Sequence, residues 1–155
     1  MRVVPVFLLV SMSGLNLLPG FATEIKPLEL TVEGNSLTMQ APRNTRVQPA
    51  SQFGVEVIVS DRIQIIIETL ASETSISEYK KDTLANTGIF KRFLVDTPTA
   101  LLHEDMVVSN PAYRVFTYAD TGKVKVTCRD SRVIDLTESE ARTVIKLCQS
   151  IRSKS

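Results

Sequence analysis

One histidine and two cysteines are the residues of this chain best suited to chemistry near neutral pH. His103 sits in the run LLHEDM, residues 101–106, with Glu104 and Asp105 beside it. A histidine next to a carboxylate is the simplest general-base arrangement. The run reads as a strand, however, and neighbouring strand residues point to opposite faces, so Glu104 cannot orient His103 directly. No G-x-S-x-G surrounds a serine and no H-E-x-x-H is present. His103 is therefore expected to be an exposed or hydrogen-bonded strand residue. An enzyme centred on it is the alternative, and that needs a carboxylate and a nucleophile within reach in a cleft.

Cys128 alternates with Val124 and Val126, which puts it on the apolar side of a strand. Cys148 shares a helical stripe with Ala141, Val144, Ile145 and Ile151. A short return joins strand to helix, so the two apolar faces should meet. An even cysteine count on two buried faces predicts a disulfide that staples the last helix to the sheet. A redox pair more often has close C-x-x-C spacing, and a metal site needs more ligands than these two thiols and one distant imidazole. No motif asks for a cofactor. The carboxylates are scattered, and no glycine-rich phosphate loop appears.

Two groups of cations are candidate partner surfaces. Lys80, Lys81, Lys91 and Arg92 flank one helix-to-strand connection, and Arg43 and Arg46 lie in a proline-bearing stretch. Both groups are commonly just solvated faces. Tyr113, Phe116 and Tyr118 crowd one strand, with Tyr113 on the side of Val115 and the other two opposite. Core packing explains them; a ligand or peptide groove floored by the sheet is the sharper reading.

These side chains depend on the elements that carry them. In 28–41, Leu28, Leu30 and Val32 alternate with polar residues, as do Leu37, Met39 and Ala41. A turn at Gly34-Asn35 would face Val32 with Leu37 and Leu30 with Met39, one apolar face in all. Residues 42–53 hold two prolines and no period, and are expected to be a loop. In 54–70, Val55, Val57 and Val59 face Ile63, Ile65 and Ile67 across a three-residue connection at 60–62. Residues 75–87 change to helical period, with capping-box spacing at Ser75 and Glu78 and a stop at Gly88. Strands follow at 90–96 and 99–108, Asn110-Pro111 interrupts the chain, and a hairpin spans 112–130 around Asp120-Thr121-Gly122. A last helix starts at Thr137, again with a glutamate three residues on. Hairpins punctuated by two helices predict an α+β fold, an antiparallel sheet with both helices packed on it.

Arg2 is the only charge before Glu24, and VVPVFLLVSMSGLNLLPGFA follows it. A basic start, an apolar middle, and Gly20 and Ala22 before the cut have the layout of a secretory signal over residues 1–22. The prolines, serines and glycines in that run argue against a stable membrane span. Residues 23–155 then form one domain. Removing 1–22 from the 155 residues leaves 133 and takes one of 18 basic residues, leaving 17 against 17 acidic. A neutral chain has no overall attraction for nucleic acid or anionic membrane. Export also supplies the oxidising surroundings a disulfide needs.

The opening hairpin LELTVEGNSLTMQAP, the helix SISEYKKDTLANTG and the late hairpin and helix YRVFTYADTGKVKVTC…LTESEARTVIKLCQSI together give an element order that resembles the PsbP-like fold group. That group includes the lumenal extrinsic subunit of photosystem II and many bacterial periplasmic proteins. The resemblance covers nearly all of the mature chain as a pattern of elements. It implies a non-catalytic binding, assembly or chaperone-like module with a protein partner, and it assigns no site residue; the cysteine pair is not part of it. An immunity protein or inhibitor that occludes a toxin or hydrolase is the second reading.

Overall fold

The computed structural model describes residues 24–69 and 75–154; the expected leader, 1–22, lies outside them. Strands β1 (Ile25–Val32) and β2 (Asn35–Pro42) form the first hairpin. Its reversal is at Glu33-Gly34, with φ of 48° and 81°, and Leu30 faces Leu37. This is one residue earlier than the sequence suggests, so the pairing moves by two. A tight two-residue hairpin turn of this type has positive φ at both central residues, and the Asn35 side-chain Nδ2 donates to the carbonyls of Val32 and Glu33 at 3.3 Å each. A shift of two keeps every side chain on its face, so Leu30, Val32, Leu37, Met39 and Ala41 are all buried.

The stretch expected to be a loop contains a short strand, β3 (Arg46–Pro49), paired antiparallel to β4 (Val55–Ile58). It is an edge strand, where proline is tolerated because one side of the backbone faces solvent. The pairing of β4 with β5 (Gln64–Thr69) is the expected one: Val55 opposite Ile67 and Val57 opposite Ile65. Helix α1 (Ile76–Ala85) has its capping box, in which the Glu78 amide donates to Ser75 Oγ and the Ser75 amide to the Glu78 carboxylate. It ends at Asn86, whose amide bonds Thr83 O, two residues before Gly88.

Four strands follow: β6 (Phe90–Asp96), β7 (Ala100–Val107), β8 (Asn110–Asp120) and β9 (Lys125–Asp130). Asn110 and Pro111 do not interrupt the chain; they begin β8. The reversal is at Val108-Ser109, with φ of 46° and 69°, and Val107 faces Asn110. Helix α2 (Glu138–Gln149) is capped by Thr137 and Glu140, and an additional two-residue strand, β10 (Arg152–Ser153), follows it.

The fold is α+β, with the strands divided between two antiparallel sheets. One has the order β1-β2-β10, the other β3-β4-β5-β9-β8-β7-β6. The hairpin β1–β2, one face of the larger sheet and the buried stripe of α2 share a single apolar core. Cys128 of β9 and Cys148 of α2 are bonded across it, with Cα atoms 5.7 Å apart. Leu101 and Phe116 are buried outside that core, and Tyr79 of α1 stacks on Phe116 with ring centroids 4.3 Å apart. Helix α2 is thus bound by five buried residues and a covalent bond, whereas α1 buries none of its residues.

Candidate functional site

His103 of β7 is 3% exposed. Its ring lies among Tyr79, Phe90 and Phe93, each with a centroid about 6 Å away. Glu104 points the other way and pairs with Arg92 at 2.8 Å, as strand alternation requires. Asp105, two residues on and therefore on the same face, takes the role Glu104 cannot: its Oδ1 lies 3.0 Å from His103 Nδ1. A carboxylate only accepts, so Nδ1 carries the proton and Nε2 is free to accept. Tyr79 Oη lies 3.3 Å from Nε2, and Arg132 donates from Nη2 to Tyr79 Oη at 2.9 Å. Arg132, Tyr79, His103 and Asp105 form one directional chain from the loop after β9, through α1, into the sheet.

This chain lines a cleft of about 360 Å³ between α1 and the β7–β8 end of the sheet. Arg114, opposite His103 on β8, also lines it and is held by Asp130 at 3.5 Å and by Asp135. Asp130 in turn accepts from the Val115 amide at 2.7 Å.

A carboxylate, an imidazole and a hydroxyl in line could act as a proton relay. The imidazole and hydroxyl of such a relay are neutral at rest. Burial pushes the Tyr79 phenol above its ordinary value of 10.0, against the pull of Arg132. Burial also lowers the His103 imidazole from 6.5, against the pull of Asp105. Both shifts favour the neutral ring near pH 7. The hydrogen-bonded chain is a clamp that ties α1 to the sheet.

No family model, curated protein or solved structure matches this chain. The resemblance to the PsbP-like group accordingly rests on the order of elements alone.

The two cation groups fall at opposite edges of the larger sheet. Arg46 lies on β3, with Arg43 just before it, and Lys91 and Arg92 lie on β6. Arg43 pairs with Glu24 at 3.7 Å, Lys80 with Asp96, and Arg92 with Glu104. Among the described residues Arg46, Lys81 and Lys91 make no ion pair. Tyr113 packs against the main core, Phe116 is covered by Tyr79, and Tyr118 is half-buried. These aromatics line no common groove; the cleft lies beside them, over β7.

Sequence reasoning named Asp105 only as a neighbour of His103, and missed Tyr79 and Arg132. Asp105 was accessible from the two-residue spacing. Tyr79 appears in the sequence only as part of an apolar helical stripe. Arg132 lies in a loop, with a left-handed φ of 61° that nothing local announces.

Proposed function

We propose that the protein is a non-catalytic exported binding or assembly module that engages a protein partner at the β7–β8 hairpin tip and the adjoining cleft mouth. One observation carries this reading. Val108 is 89% exposed and left-handed, two costs that no packing in the described residues offsets. A β-branched residue with positive φ is a strained outlier, and such positions concentrate where a surface is used. Val133, 71% exposed, adjoins the lining residue Arg132, just as Val108 adjoins the lining residue Val107. Two exposed apolar side chains beside a polar cleft fit the anchor-and-rim pattern of a protein interface. The disulfide is compatible with the oxidising location that the leader implies.

The experiment is capture from the native exported fraction, with residues 23–155 as bait and mass spectrometry as readout. The expected result is one stoichiometric protein that is lost with Val108→Asp while the variant unfolds at the same urea concentration. Equal capture by wild type and Val108→Asp would overturn the hairpin-tip reading. Capture of nothing from that fraction would overturn the partner reading itself.

A further inference from the structure

Two exposed charged groups of the cleft, one of each sign, stand outside its internal ion pairs. Arg114 is paired with Asp130 and Asp135, and the buried Asp105 carboxylate accepts a hydrogen bond from the neutral His103 ring. Among the described residues the remaining charged lining groups, Arg132 and Asp82, form no ion pair with each other or with a third group. They come from different elements: Asp82 stands on α1 with Thr83, Asn86 caps that helix, and Arg132 lies on the loop after β9. Arg132 spends one of its five N–H donors on Tyr79 Oη, which fixes the guanidinium and leaves the others for a ligand. Ile89 and Val107 add a small apolar wall.

We propose that this cleft binds a small zwitterion of the α-amino acid class. The carboxylate meets the guanidinium of Arg132, the ammonium meets Asp82 and the side-chain acceptors beside it, and a short aliphatic side chain lies on Ile89 and Val107. A plain carboxylate would gain Arg132 but meet Asp82 and Asp105. A plain amine would gain Asp82 but meet Arg132. Only a ligand with both charges is matched at both ends. A volume of about 360 Å³ is at the small end of ligand sites, which suits a single amino acid. The inference goes beyond the partner reading and uses neither Val108 nor Val133.

The test is a nuclear magnetic resonance titration of residues 23–155 with L-valine, run beside N-acetyl-L-valine, which lacks the ammonium, and L-valinamide, which lacks the carboxylate. L-Valine is expected to give saturable shifts at Thr83, Asn86, Ile89 and Val107. Each blocked probe should bind about tenfold more weakly, as should L-valine to Arg132→Gln and to Asp82→Asn. Asp82 is exposed and unpaired, so its variant keeps the fold even if loss of Arg132 loosens α1. Asp82→Asn should strengthen the weak binding of N-acetyl-L-valine, because it removes a carboxylate that repels that probe. The proposal is overturned if L-valine produces no saturable shift, or if either blocked probe binds as well as L-valine.

Discussion

At the scale of single residues, the clamp is the feature most open to test. Tyr79→Phe keeps the stack on Phe116 but leaves His103 Nε2 without a donor and Arg132 without an acceptor. Stability should fall by about 1–2 kcal/mol in urea unfolding, the cost of an orphaned buried polar group. His103 also makes stability depend on pH. Its proton affinity is lowered in the folded state, so the unfolded chain binds the proton first as pH falls. Unfolding free energy should decline as pH drops below about 6.5, and His103→Asn should remove that part of the slope. Glu140 acts in a lower window. The Arg62 hydrogen bond, at 2.6 Å, brings its carboxyl from 4.5 to about 2, so its contribution is complete above pH 4.5 and disappears as pH falls toward 2. Arg62→Met should flatten that lower limb only. The histidine's orienting carboxylate could be read from strand alternation. The hydroxyl and the guanidinium could not, because each reaches the site through tertiary packing that no local spacing encodes.

At the scale of elements, regular alternation and capping chemistry made most of the fold legible. Both capping boxes and the valine–isoleucine pairing of β4 with β5 follow directly from residue spacing. The misplaced reversals share one cause. Glu33 and Val108 occupy left-handed turn positions where glycine or asparagine is expected, so each turn sits beside the residue that looks like its marker. Strands β3 and β10 were hidden by prolines and by brevity. Gly54 is a position where the element itself demands glycine: φ is 77°, and a Cβ there would lie 2.1 Å from the Ile67 carbonyl oxygen. Gly54→Ala should cost about 1–3 kcal/mol, read as a lower thermal midpoint with an unchanged far-ultraviolet spectrum. Removing the staple with Cys128→Ala and Cys148→Ala should cost about 3 kcal/mol, and reductant should then have no further effect.

At the scale of the whole molecule, the two sheets are closed by a return of the chain onto its first hairpin. Strand β10 pairs with β2 through Arg152–Thr38 and Ser153–Leu37, and Ser150 Oγ accepts from the amide of Gln40, 110 residues away. Ile151, 1% exposed, seals the core at this junction. A chain ended at Ser150 should lose that seal at a cost of about 2–5 kcal/mol and become sensitive to protease at native temperature. A chain that emerges from its N-terminus therefore cannot finish its interior as it appears. The first hairpin must wait, half-covered, for helix α2 and the strand beyond it. The native fold is withheld until α2 and β10 have been delivered, so the closing step joins the two most distant parts of the described chain.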